Sequence, residues 1–220
     1  MPSQIGSRLV FENAKSFIQS QGFDVSQAVL TQSYVRSEVA MSATASSYRM
    51  PILINDSTNG NSFATEKRVN LQDIHVVSSM AILLATPSSA TAVNFPLYSY
   101  PSLTGFTSAQ YTALMALYNG SMQITVNNQT ILPNWDIFRH YFVPQTQAQV
   151  GITAQTVFPI DQNDGSSYGF VPVEPNLLLN GAANIVANLN LPGAISTVVA
   201  NSRIVLLFRT ILAQNVTSVK

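Results

Sequence analysis

Two histidines, ten carboxylates and no cysteine are the raw material for proton-transfer chemistry in this chain of 220 residues. Asp73 and His75 stand at i and i+2, so on a strand both point to one face. A carboxylate beside an imidazole could orient a general base. The serine that such a base would activate is missing: no Gly-x-Ser-x-Gly occurs, and Ser78 and Ser79 lie inside one apolar run instead of on an elbow. The expectation is an ordinary surface pair on a strand. His140 follows Asp136 by four positions, which meet only on a helix. Pro133 and the β-rich run 137–143 predict a strand there, closed by Pro144, so the two should diverge. No catalytic residue is expected, and no enzyme.

Metal chemistry finds little more. Without cysteine there are no thiolate ligands and no disulfides. Residues 161–165 have the look of a calcium loop, but the twelfth position, where a bidentate Glu belongs, is Pro172. The loop from Asp56 meets Lys67 at the same place. Neither Gly-x-x-x-x-Gly-Lys-Ser/Thr nor Gly-x-Gly-x-x-Gly occurs, so no phosphate cradle is indicated. No metal and no cofactor are expected. Asn55, Asn119, Asn128 and Asn215 head Asn-x-Ser/Thr sequons, which read as chance in an Asn-rich chain without a secretion signal.

Aromatic side chains are the better material. Tyr98, Tyr100, Phe106 and Tyr111 cluster in sequence, and Trp135 is the sole tryptophan. Such rings stack on sugars or bases, or fill a core or a protein interface. Phe11, Phe17, Ile18, Phe95, Tyr98, Tyr100, Phe106, Tyr111 and Trp135 form the set expected at an interface.

The elements that must position these residues are mostly strands. Residues 7–21 form an amphipathic helix, with Val10, Phe11, Ala14, Phe17 and Ile18 as its stripe, Ser7 as cap and Gly22 after the last turn. It docks on its own domain or reaches a neighbouring subunit. The run 26–41 carries Val35, Val39 and Met41 on one alternating face and Arg36 and Glu38 on the other, which favours a strand and leaves a helix open. Residues 69–77 alternate until 78–85, a continuous apolar run whose length and bend at Ser78–Ser79 suit a strand buried on both faces or one that changes partners. A helix follows at 108–118, capped by Ser108 and stopped by Asn119–Gly120. Residues 121–135 make a hairpin turning at Asn127–Asn128. Residues 184–192 and 203–215 are strands, as are shorter runs between. About eight to ten strands with turn signals every 8–15 residues predict an all-β antiparallel sandwich, with one helix at the N-terminus and one inserted. The expected division is a helical arm over 1–24 and a sandwich over 25–220.

Charge is what the chain withholds. Charged residues make up 9% and net charge is 0, against about 25% in ordinary soluble domains. Residues 74–135, 140–160 and 175–202 carry no Asp, Glu, Lys or Arg. These runs hold many Ser, Thr, Asn and Gln, so they cannot all be core. A polar but uncharged surface suits contact with neighbours, because desolvating an unpaired charge costs several kcal/mol. Ten basic residues are too few for strong direct nucleic-acid binding. No apolar run approaches the ~20 residues that span a bilayer, and the N-terminus lacks the pattern of a cleaved signal.

A charge-poor, all-β chain with an amphipathic N-terminal arm and the inserted helix of residues 106–120 resembles the jelly-roll capsid proteins of tailless icosahedral bacteriophages. The resemblance covers the whole chain as composition and strand rhythm. It implies a single jelly roll, a virion location, trimers or pentamers of the chain within a shell, and contact with other virion proteins. The basic arm of some capsid proteins is not matched, since residues 1–21 hold only Arg8 and Lys15. A carbohydrate-binding or adhesive sandwich of virion-spike type, using Tyr98, Tyr100 and Trp135, is the alternative. Residues 87–106 are the loop expected to meet the next subunit.

Overall fold

The computed structural model describes residues 3–55, 63–102, 106–143 and 169–218. The exposed loop expected at 56–62, the linker and strand expected at 145–158 and the loop at 161–168 lie outside the described residues. In chain order the elements are α1 (Ser3–Ser20), β1 (Phe23–Asp24), β2 (Val29–Ala40), β3 (Ser47–Ile52), β4 (Ile74–Ala85), β5 (Leu97–Tyr98), α2 (Ser108–Tyr118), β6 (Ser121–Val126), β7 (Gln129–Asp136), a 3-10 turn (Ile137–His140), β8 (Val171–Asn180), β9 (Ile185–Asn190), β10 (Arg203–Gln214) and β11 (Thr217–Ser218).

Two antiparallel sheets stack face to face, and β1 and β11 form a short pair apart from them. One sheet runs β2-β10-β4, with β8 and β5 sharing the far edge of β4. The other runs β3-β9-β6-β7. Every pairing in both is antiparallel. Met50, Met122, Ile124, Ala187 and Leu189 from the second sheet meet Val35, Ile82, Leu84, Leu206 and Phe208 from the first. Leu114, Leu117 and Tyr118 of α2 join the same core.

The first sheet is covered on its outer face too. Ala14 and Ile18 of α1 pack on Ile74, Val76, Ile211 and Ala213, with Phe11 and Phe17 beside them. The helix therefore docks on its own chain. Further along the same face, Ala81, Leu83, Ala85 and Val205 are covered by Phe95 and Phe170. Burial on both faces is why β4 and β10 are continuous apolar runs.

A bulge makes that double burial work. The register between β4 and β10 shifts where Arg209 faces Ser79 and Thr210 faces Val77, leaving Ser78 as the extra residue. Before it Val77 points to the main core; after it Met80, Ile82 and Leu84 do. The facing set changes from odd to even positions, and the inner face stays apolar throughout. On the far edge β8 pairs on both sides of the bulge, up to Val77 and again at Ser79 and Met80, and β5 takes over at Leu84 and Ala85.

Local signals differ from expectation at three places. α1 starts at Ser3, so Ser7 lies within it instead of ahead of it. The cap of α2 is Thr107, whose hydroxyl accepts from Gln110 N–H while the Gln110 side chain accepts from Thr107 N–H. This reciprocal box outcompetes Ser108. The strand expected at 137–143 is a 3-10 turn. Asp136 caps it by accepting from Phe138 N–H at 3.0 Å, which ends β7 before the apolar run begins. The hairpin turns as expected, with Asn127 and Asn128 at φ 48° and 64°. Asn tolerates that left-handed pair better than most residues.

Candidate interaction surface

Both histidines lie inside the fold. Asp73 and His75 are both buried, so the expected surface pair is corrected. His75 Nδ1 lies 2.9 Å from Thr210 Oγ1, across the β4–β10 pairing. Asp73 accepts from Asn70 Nδ2 at 2.8 Å. Burial pushes the His75 pKa down, against the pull of Asp73. The imidazole is a neutral bridge within the sheet.

His140 is fully buried at the end of the 3-10 turn. The Trp135 indole N–H donates to its Nε2 at 2.8 Å, and Nδ1 lies 2.9 Å from the Gly169 carbonyl. An indole nitrogen only donates, so Nε2 must accept and the proton sits on Nδ1, where it is donated to Gly169. Burial pushes the His140 pKa to about 4; the Gly169 bond opposes this and Arg139 adds to it. Arg139 caps the Trp135 ring at 5.0 Å. The cluster ties the end of β7 to the start of β8. The ring stacking on a sugar expected of Trp135 is not available from a residue 7% exposed.

A charged cluster that sequence reasoning missed closes the end of the first sheet. Glu38 of β2 and Arg203 of β10 are buried, with Arg203 Nη1 2.8 Å from Glu38 Oε2. Arg36 Nε reaches Glu38 Oε1 at 2.7 Å, and the Thr65 hydroxyl donates to the same oxygen. Arg203 Nη2 donates to the Ala90 carbonyl at 2.5 Å. Its guanidinium lies 4.0 Å from the Phe63 centroid and 5.1 Å from that of Phe95. Glu66 accepts from Glu38 N–H at 3.0 Å, and burial pushes its pKa up. The only hint in the sequence is an arginine at the head of an apolar strand. Among the described residues no group of three or more metal-ligating side chains occurs.

The nine expected interface residues separate into two sets. Ile18, Phe106 and Trp135 are buried in the chain's own cores. Phe11 and Phe17 pack under α1, Phe95 lies against Arg203 and Arg36, and Tyr98 meets Phe106 edge-on at 5.7 Å. Tyr100 and Tyr111 remain half-exposed. The Tyr111 and Tyr141 hydroxyls are 2.8 Å apart, and Tyr141 stacks on Phe138 at 5.7 Å and 6°. Phe138 is 52% exposed. The Tyr141 pKa is pushed up to about 12, first by the Tyr111 hydrogen bond and then by burial. Tyr100, Tyr111, Phe138 and Tyr141 thus make an uncharged aromatic patch. Phe138 and Tyr141 were missed because the run 137–143 reads as a strand.

A groove of about 500 Å³ opens between α1, β8 and the β6–β7 hairpin, lined by Phe17, Ile131, Leu132, Val173 and Leu177. The sheet edges are unequally protected. β3 carries Arg49 and Pro51, β7 carries Pro133 and Asp136, and β8 carries Pro172, Glu174 and Pro175. Proline and charge are what blunt an open edge. The stretch 29–34 of β2 has neither, and Val29 and Tyr34 are exposed. No protein-family model, curated protein or solved structure matches this chain. No helix among the described residues is long and apolar enough to cross a membrane.

Proposed function

We propose that this chain is a self-assembling coat subunit of a virion, built on a single jelly roll. Leaving aside the two-residue pairs, the eight strands among the described residues are β2, β3, β4, β6, β7, β8, β9 and β10. Their order is first-eighth-third-sixth in one sheet and second-seventh-fourth-fifth in the other. This interleaved order of two antiparallel sheets supports the jelly-roll reading, an architecture used by viral coats, lectins and cupins. The withdrawal of charge from the surface is the observation that favours a coat. In a chain with ten basic and ten acidic residues, Glu38, Asp73 and Arg203 are spent inside. The edge 29–34 carries no ionised group, as an interface centre should not, and the rings of Tyr100, Tyr111, Phe138 and Tyr141 are themselves uncharged, with the exposed Asp136 and Arg139 at their margin. Electron microscopy and light scattering of the purified chain are expected to show closed oligomers or shells. A species that stays monomeric at every concentration and salt tested would overturn the reading.

The aromatic patch supports a second reading, a glycan-binding module, because stacked exposed rings are platforms for sugar faces. Its residues are Tyr100, Tyr111, Phe138 and Tyr141, in place of Trp135. A glycan array in which Phe138→Ala removes every hit would favour it; an array without hits would remove it.

A further inference from the structure

We propose that residues 29–34 of β2 pair with the same strand of a second copy, antiparallel about a two-fold axis at Gln32, joining two five-stranded sheets edge to edge. The inference rests on the coat reading and names one contact within it.

The direction of the free backbone groups follows from Arg36. Its N–H donates to the Lys67 carbonyl and its carbonyl accepts from Lys67 N–H, both at 3.1 Å, so Arg36 faces away from β10. Glu38 N–H also points outward, to Glu66. The β2–β10 register is unbroken from Val29 to Ala40. Residues of the same parity therefore present N–H and C=O outward at Leu30, Gln32 and Tyr34. No backbone partner for these groups exists among the described residues.

A second copy fits this edge for three reasons. Antiparallel pairing about Gln32 sets Leu30 against Tyr34 of the second copy, twice over, giving the half-exposed Leu30 and the exposed Tyr34 apolar cover. Nothing in the window opposes the approach, since it holds no charge and no proline. The ends are complementary. Lys67 occupies the place beside Arg36, so pairing cannot run past Tyr34, and the chain of the second copy must turn away before residue 28, as the Val25–Ala28 turn does. That brings the exposed Asp24 of one copy toward the exposed Lys67 of the other. Asp24 is held below the usual carboxylate range by hydrogen bonds from Ser26 N–H and the Ser26 hydroxyl, so it is ionised at neutral pH.

The absence of cysteine makes the test clean. Directly opposed residues of a hydrogen-bonded antiparallel pair have Cα atoms about 5.5 Å apart, which suits a disulfide. Gln32→Cys is expected to cross-link the chain to its copy under mild oxidation, read on a non-reducing gel. Tyr34→Cys alone should not, because about 13 Å separates its two copies in this register. Gln32→Pro should lose the dimer while keeping the melting temperature, since that N–H faces outward. Equal cross-linking at both positions means random collision and overturns the proposal. If the Gln32→Cys variant forms normal assemblies while its thiol stays free, the proposal is overturned and the coat reading stands. If that variant is strictly monomeric with its thiol free, as the parent chain is monomeric, both are overturned, and the edge then belongs to a foreign strand or to none.

Discussion

β2 pairs with one neighbour along its whole length, yet its two halves end differently on the open side. The C-terminal half is closed by Lys67 on the backbone and by Arg36, Glu38, Glu66 and Arg203 around the side chains. The N-terminal half, from Val29 to Tyr34, is uncharged and open. A chain so short of charge concentrates it where this edge is shut, and leaves it out where, in the proposed pairing, the edge is used. The contrast separates two roles that a stability measurement would merge: one half holds the fold, and the other is the half proposed for contact.

The contrast breaks hardest at Arg203. Arg203→Ala leaves the Glu38 carboxylate buried with Arg36 as its remaining cation, and urea denaturation is expected to show a loss of about 3–5 kcal/mol. A loss under about 1 kcal/mol would mean that the cluster does not hold the sheet.

Acid separates the buried histidines of the fold from the open half of β2. The folded His140 pKa of about 4 lies below its ordinary 6.5. Below pH 6.5 the unfolded chain takes up a proton that the folded chain refuses. Stability contributed by neutral His140 is full above pH 6.5 and is lost as pH falls toward 4, by about 3 kcal/mol in all. Circular dichroism melts from pH 7.5 to 4 measure this, and His75 shifts in the same direction. The open half contains nothing that titrates in this range, so association through it should not follow the same curve. A dimer constant that tracks His140 would place the contact elsewhere.

Proline gives a finer cut. Thr31 N–H faces β10 while Gln32 N–H faces out, so Thr31→Pro should cost about 1–3 kcal/mol more than Gln32→Pro in the same urea titration. Similar costs would mean that the assigned parity is wrong. The smallest effect on the fold belongs to Gln32→Lys, within about 0.5 kcal/mol. Two such lysines would meet across the two-fold axis, so sedimentation should report monomer where the parent chain associates.

Much of the architecture was legible because it is periodic. The apolar run of β4, the alternation of β9 and the Asn127–Asn128 turn announce themselves within a dozen residues. What stayed hidden is long-range or decided by one competing cap. Glu38 and Arg203 are separated by 165 positions, and no spacing rule brings them together. Asp136 turns a β-rich run into a 3-10 turn by taking one N–H, and that single bond moved Phe138 and Tyr141 onto the surface patch. His140 read as an outlying strand residue because its partner Gly169 arrives from 29 positions away.

The bulge at Ser78 restricts how such a chain can change length over evolutionary time. Loops absorb insertions and deletions with little loss. Position 78 cannot, because one residue fewer would exchange the two faces of everything after it: Met80, Ile82 and Leu84 would turn outward, and Ala81, Leu83 and Ala85 inward. Descendants of this chain are free to vary in size almost anywhere on its rim, but through the middle of β4 the residue count itself is inherited.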